Sequence, residues 1–562
     1  MSPGAHVPAD PEATEWDVAV IGTGMGGATF GFEMARRGHR VLFIEKGLFL
    51  HGEFGGLAKS PTDGGRGPDV DADSEEARLQ RGRWPTRLKG RTSFGEIEFF
   101  APLGCGSGGS TALYAAGLER FSPADFRPRG NFPDVADSTL PERWPIAYEE
   151  LRPFYEQAES LYRVRGSQDP LDAALAPSLR EPPALNARDR HFCASFEARG
   201  LHPYRIHAGY EFVEGCNGCG EGPCARACKS DSAWICMLPA LRQHGASLLA
   251  QCEVLRLEAD ARDVKRLWCR RDGREFALRA KVVALAAGAY MSPVLLLNSR
   301  NEHWPDGLAN RSGLVGRNLM FHASDFVAVR PLERLSGDGP QKTLALNDFY
   351  QEGGRKLGTF QTAGAAIGVG QIMQYMRDVA QTDPRWWTRL ASPRPTWWRK
   401  LSSPFVRLAA MIMFHGLNFK NAAVWATIVE DLPYHDNRVV ADPQAASGMR
   451  FEYRYPEELS ARVKAFRRRL AERLAPHRVI VLSGENNINF GHVCGTCRFG
   501  DDPATSVLDR DNKAHGLSNL YVVDASFFPS SGGTNPSLTI AANALRVAQA
   551  VDAQLAPGRR AA

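Results

Sequence analysis

Two short, wholly apolar runs stand near the start of the chain, Val18-Ala-Val-Ile21 and Val41-Leu-Phe-Ile44. Runs of this length without polar alternation predict strands buried on both faces, as in a parallel sheet. Between them, residues 28–37 are helical in pattern, and Gly38 ends the helix. A third apolar run, 280–287, leads through Gly288 into a helical segment with Pro293 near its first turn. Residues 253–286 also predict a hairpin turning at Asp272-Gly273. Residues 148–162 and 457–474 read as helices, the second with a basic, solvated face. From 321 to 483 the character changes. Strand-like runs at 326–329, 424–430 and 450–455 are separated by polar turns, and they predict an antiparallel sheet with one covered face. The expected class is α/β, with a doubly wound part interleaved with an antiparallel-sheet part. No internal repeat is visible.

The loop after the first strand reads Gly22-Thr-Gly24-Met-Gly-Gly27. Gly22 permits the tight turn, Gly24 lets backbone approach a pyrophosphate, and Gly27 lets the helix lie close to the strand. The helix N-terminus offers N–H groups and a positive dipole end to phosphate. Glu45, ending the second strand, is placed to accept from a ribose hydroxyl. A lone Gly-x-Gly-x-x-Gly is weak, but strand, turn, helix, strand and acid here follow in the required order, which points to FAD or NAD. A second glycine-rich turn, Pro102-Leu-Gly104-Cys-Gly106-Ser-Gly108-Gly109-Ser110, and the small residues Ala286-Ala287-Gly288 suit close passage under a flat cofactor and favour FAD.

These motifs, with Trp144-Pro-Ile-Ala-Tyr148, Gly313-Leu-Val-Gly-Arg-Asn-Leu-Met-Phe-His322, Glu430-Asp-Leu-Pro433, the segment 491–500 and Tyr521-Val-Val-Asp524 through Thr539, resemble the glucose–methanol–choline (GMC) oxidoreductase family over nearly the whole length. The resemblance implies bound FAD and oxidation of a CH–OH group by hydride transfer to flavin N5. It implies a Rossmann-like FAD-binding domain (1–50, 92–320 and 484–562), a lid or excursion (51–91) and a substrate domain (321–483). It places cofactor contacts at Gly22, Gly24, Gly27, Glu45, Lys46, Gly104, Gly106, Gly109, Ser110, Val254, Ala287, Gly288, Asp524, Ala525, Asn535 and Pro536. One departure is Thr111-Ala-Leu-Tyr114, where many relatives carry an asparagine.

Oxidising an alcohol requires removal of its hydroxyl proton as hydride leaves carbon. An imidazole suits that task because its ordinary pKa lies near neutrality. His492, followed by Gly495-Thr496, matches the family's active-site histidine. Asn535, in Gly532-Gly-Thr-Asn535-Pro536, can bind the substrate oxygen as charge develops, or cap the last helix.

Four of the 11 cysteines, Cys216, Cys219, Cys224 and Cys228, fall within 13 residues. Such spacing can converge on one iron–sulfur cluster or one zinc. The last three share their spacing with a cluster-binding segment in related bacterial glucose dehydrogenases. A set of structural thiols is the competing reading. Cys494 and Cys497 form a C-x-x-C that reads as part of the histidine motif.

Composition narrows the function. The net charge of +5 arises from 68 basic and 63 acidic residues, too balanced to suggest nucleic acid. Residues 1–15 lack the apolar core of a secretory signal, and no run approaches a spanning helix. An odd cysteine count with no signal fits a reducing cytoplasm. Trp386, Trp387, Trp397 and Trp398, interleaved with cations, suggest core or pocket packing, with membrane-surface contact as the lesser alternative. The expected function is FAD-dependent oxidation of a sugar-like or lipid-like alcohol, passing electrons to an unknown acceptor. The alternatives are an oxidase releasing hydrogen peroxide, a non-redox lyase or decarboxylase on the same fold, and an electron-transfer subunit built on the cysteine run.

Overall fold

The computed structural model describes residues 7–8, 10–51, 74–172, 178–214, 216, 222–224, 226–352, 354–364, 408, 411–412, 421–484 and 486–556. Cys219, the tryptophan-rich stretch and most of the expected lid lie outside them.

The apolar runs pair as parallel strands. Ser247–Leu249, Val41–Ile44, Glu15–Ile21 and Arg274–Leu285 lie side by side in that order. Val18 sits opposite both Val41 and Val282, so both edges of the first strand are bonded. Leu520–Val522 joins the same sheet in parallel, with Tyr521 opposite Ala284. Thus the carboxyl-terminal part of the chain enters the sheet that the amino-terminal part begins. The hairpin turns at Asp272-Gly273 and extends this sheet on one side. Helices Met25–Arg36 and Ser537–Leu555 pack on one another against it, and Val18, Val20, Phe43, Val282 and Val522 are fully buried.

The second sheet is antiparallel throughout. Its order is Arg478–Val481, Phe326–Arg330, Ala423–Glu430, Thr359–Thr362, Leu344–Leu346 and Tyr204–Arg205. Tyr204–Arg205 lies outside 321–483, and a two-residue strand carries no readable period. Leu88–Thr92, across the end of the expected excursion, is also a strand, parallel to Met449–Tyr453. Its only large apolar residue is Leu88, and Gly90 lies beneath the Phe451 ring, so its sequence shows little alternation.

Pro293 sits in the interior of helix Gly288–Asn298, one turn later than expected. A proline there cannot donate to the carbonyl four residues back. That carbonyl, Ala289 O, accepts instead from Thr496 Oγ1 at 2.7 Å. The bond repairs the helix and ties it to the segment carrying His492. Among the described residues, no helix is long and apolar enough to cross a membrane.

Candidate active site

The first glycine turn is built for close packing on one side and open on the other. Gly22 adopts φ +97°, and a Cβ there would stand 2.3 Å from Ala286 O. At Gly27 a Cβ would lie 2.2 Å from Gly22 O, so the helix rests directly on the turn. Gly24, by contrast, has nothing within 4 Å of a Cβ position. It caps helix Met25–Arg36, which has no side-chain cap, leaving the first-turn N–H groups to a ligand.

The second glycine turn closes on the first. A Cβ on Gly109 would be 2.9 Å from Gly24 Cα, and Gly104 N donates to Ser110 Oγ at 3.1 Å. Glu45 joins the two turns. Its Oε2 accepts from Thr23 N and Thr23 Oγ1 at 3.1 and 2.7 Å, and its Oε1 from Gly47 N and Gly106 N at 2.9 and 3.2 Å. Burial raises its pKa against those four donors. The expected ribose acceptor is therefore already engaged, and a ribose hydroxyl must share its oxygens with the protein. Lys46 extends outward to Glu253 at 2.7 Å, next to half-buried Val254.

Asp524 turns inward. Its Oδ2 accepts from Gly288 N and Ser292 Oγ at 2.9 and 2.5 Å, and its Oδ1 from Ser526 N and Oγ at 2.8 and 2.5 Å. Its carboxylate thus holds Gly288 in place. Ala287 N is likewise held, by Ser292 Oγ at 3.1 Å, while a Cβ on Gly288 would meet nothing within 4 Å. Ala525 O accepts from Gly495 N at 3.1 Å. The uncapped helix, the open faces of Gly24 and Gly288 and the crowded backs of Gly22 and Gly27 together form a cradle that fits FAD. Gly24→Ala should therefore keep the fold but weaken FAD retention. Flavin-to-protein ratio after gel filtration, set against unfolding of the FAD-free protein, checks this.

His492 is reached from the other end of the chain. A two-way backbone bridge between Met320 and Cys494 (3.0 Å each way) pins its segment against 318–323. The His492 ring is half-buried, and its Nδ1 lies 3.1 Å from Nδ1 of His322. Desolvation, then the neighbouring His322 and Lys342, depress His492 to about 3. Burial depresses His322 to about 4. Both rings are neutral near pH 7.

Asn535 is not a helix cap, because the last helix starts at Ser537 with Pro536 in the cap position. Its Oδ1 accepts from Gln361 Nε2 at 2.8 Å, and Gln361 Oε1 accepts from Lys342 Nζ at 3.1 Å. The amide of Asn535 is thereby oriented with its Nδ2 hydrogens available to donate. Burial lowers Lys342 to about 8.

The loop bearing Asn535 rests on a buried ion group. Lys356 Nζ donates to Asp125 Oδ1 and Glu430 Oε2. Glu430 Oε1 accepts from Gly532 N at 3.2 Å. Tyr350 OH donates to Asp125 Oδ2 at 2.7 Å and accepts from Gly533 N at 3.1 Å. His322, Gln361, Lys342 and this ion group carry no local motif that assigns them these partners, although His322 ends one recognised motif and Glu430 begins another.

The described cysteines of the run converge without forming a metal site. Cys216 Sγ and Cys224 Sγ lie 3.4 and 3.2 Å from Cys228 Sγ. Thiolates around one tetrahedral zinc, with bonds near 2.3 Å, stand about 3.8 Å apart. These contacts are shorter, as for thiols touching one another, and contact with Cys216 and Cys224 pushes the Cys228 thiol up. Among the described residues no group of three or more His, Cys, Asp or Glu side chains is arranged to hold a metal, so the iron–sulfur expectation gains no support. Residues just beyond the run brace the cradle. Lys229 Nζ donates to Ala112 O and Gly222 O, both at 2.7 Å, and Ser232 Oγ donates to Thr23 O at 3.0 Å. Lys229 thus fills out the neighbourhood of Thr111-Ala-Leu-Tyr114.

Comparison with known proteins bears on the family and the fold. An NAD(P)-binding Rossmann-like domain model matches residues 20–74. Two GMC oxidoreductase models match residues 144–324 and 438–544. The chain is 29% identical to paromamine 6′-oxidase of Streptomyces fradiae, over 96% of this chain and 92% of that protein. It is 26% identical to 2-methyl-1,2-propanediol dehydrogenase of Mycolicibacterium austroafricanum, over 95% and 94%. The structure of pyridoxine 4-oxidase from Mesorbium loti superposes with a TM-score of 0.61 at 19% identity, covering 95% of this chain and 99% of that one. With the two GMC models together spanning just over half of it, the chain belongs to the GMC oxidoreductase family.

Proposed function

We propose that this enzyme oxidises the CH–OH group of a small-molecule alcohol to a carbonyl, with His492 as proton acceptor and Asn535 as the group that binds the reacting oxygen. The observation that carries this reading is the His492 ring against His322, which is anchored on the Gly532 carbonyl three residues before an asparagine whose amide oxygen is already taken. FAD, held by the Gly22–Gly24 turn, the 104–110 turn and the Gly288 region, supplies the hydride acceptor when bound. His492 removes the hydroxyl proton, and Asn535 Nδ2 donates to the oxygen as it gains charge. The relatives' names, a paromamine 6′-oxidase and a propanediol dehydrogenase among them, support a polar hydroxylated substrate. A cytoplasmic location is part of the proposal, and the cysteine run is read as a structural brace.

An anaerobic panel of polyols, amino sugars and apolar alcohols tests the reaction. A substrate bleaches the yellow flavin stoichiometrically and yields the matching aldehyde or ketone. Failure of every alcohol class, with intact bound flavin, would turn the reading toward a non-redox activity. Peroxide release in air distinguishes oxidase from dehydrogenase.

The depressed His492 pKa sets a pH signature. The reactive form is the unprotonated ring. With a pKa of about 3 rather than 6.5, that form persists well into acid. The rate constant for flavin reduction should therefore stay level from pH 7 to pH 5. A base titrating at 6.5 would lose about 30-fold at pH 5, and stopped-flow reduction across this range separates the two.

A further inference from the structure

We propose that His322 is a positioning residue that fixes the tautomer of His492, so that His492 presents a bare Nε2 to the alcohol. The inference rests on the reading of His492 as the proton acceptor.

His322 is fully buried and begins the two-residue strand His322–Ala323, opposite Glu430. Its Nε2 lies 3.1 Å from Ser531 O and 3.0 Å from Gly532 O. Carbonyl oxygens only accept, so this nitrogen carries hydrogen. A second hydrogen on Nδ1 would charge a ring that is buried near the Lys356 ammonium. The ring therefore stays neutral, and its Nδ1 carries a lone pair. That lone pair faces His492 Nδ1 at 3.1 Å. Two ring nitrogens at this distance share one hydrogen, and only His492 can supply it. With Nδ1–H so committed, neutral His492 keeps its lone pair on Nε2, the nitrogen turned away from His322.

The arrangement also serves the step itself. When the alcohol proton reaches His492 Nε2, the ring becomes an imidazolium. Its Nδ1–H already donates to His322, and that bond strengthens as charge appears. No proton has to move within the pair. The peptide that anchors His322 is itself held, since Gly532 N donates to Glu430 Oε1 at 3.2 Å. The ion group of Lys356, Asp125 and Glu430 thus acts on His492 through one peptide and one imidazole.

The chain of bonds makes opposite predictions for two similar substitutions. In His322→Asn the amide oxygen falls near the place of Nδ1 and can accept from His492 Nδ1–H. In His322→Gln the amide reaches the carbonyls but leaves no acceptor facing His492. Anaerobic flavin reduction by a saturating alcohol should slow by about 10²-fold or more in the Gln variant and by less than about 10-fold in the Asn variant. Substrate affinity should stay similar in both. Equal losses in the two variants would overturn the assignment. ¹⁵N NMR of histidine-labelled wild-type holoenzyme reads the tautomer without any substitution, which covers the case of a variant that fails to fold. It should show His492 protonated at Nδ1 and bare at Nε2, and the reverse pattern ends the proposal. Failure of the underlying reading is seen separately, as unimpaired reduction in His492→Ala.

Discussion

His492→Ala should retain bound FAD while its alcohol-driven flavin reduction falls by about 10²–10⁴-fold, the range that a positioned general base contributes. The separation of the two effects comes from how the segment is held. Backbone bonds place it: His492 N donates to Asn489 O at 3.0 Å, Met320 and Cys494 bridge, and Gly495 N donates to Ala525 O. The imidazole adds one side-chain bond, to His322. Truncation therefore removes the proton acceptor and leaves the cradle around Gly24, Gly109 and Glu45 untouched. The cost to stability is about that of one unpaired buried acceptor, roughly 1–3 kcal/mol. Flavin content, stopped-flow reduction and the urea unfolding midpoint measure all three quantities on one preparation. Normal reduction kinetics in this variant would remove His492 from the chemistry.

Lys356→Met should destabilise the protein by about 3–5 kcal/mol, because it strands two carboxylates in the interior. Lys356, Asp125 and Glu430 side chains are each no more than 1% exposed. Burial opposes the Lys356 charge, and the two carboxylates outweigh it, so its pKa lies above that of a free lysine. Methionine fills the volume and supplies no charge. The damage should reach activity as well. Asp125, through Tyr350, and Glu430 directly hold the N–H groups of Gly533 and Gly532. Asn535 comes two residues later, and Gly532 O is an anchor of His322. A drop in the urea midpoint together with slower flavin reduction is the expected outcome. Neutralising both acids in the same background, with Asp125→Asn and Glu430→Gln, should restore much of the stability. An unchanged midpoint in Lys356→Met would show that the group contributes nothing net.

Much of the nucleotide half could be read from the chain, because its signals are contiguous. The strand, glycine turn, helix and second strand fall within residues 15–44, and each signal reinforces the next. The hairpin at Asp272-Gly273 is equally local. The parts that could not be read pair residues across long separations. His322 and His492 are 170 residues apart, and Gln361 and Asn535 are 174 apart. Neither His322 nor Gln361 carries a spacing rule that points to its partner. Asn535 illustrates the limit of local chemistry. Its position before an apolar helix suggests a cap, yet Pro536 occupies that place and the side chain is drawn to a strand of the other sheet. Glu45 shows the converse. Its location was legible, but the four donors that bind it come from two separate loops, and only the fold brings them together. Tyr204–Arg205 and Leu88–Thr92 are too short or too polar to announce a strand, so sheet membership there depends on the neighbours they meet.

Segments from opposite ends of the chain should enclose one isoalloxazine ring. A crystal structure of the FAD-loaded enzyme with a bound alcohol tests this most directly. The pyrophosphate should lie against Gly24 and the ring beside His492 and Asn535, with His492 Nε2 within about 2.6–3.2 Å of the alcohol oxygen. A ring bound away from His492, or an alcohol oxygen facing some other base, would contradict it.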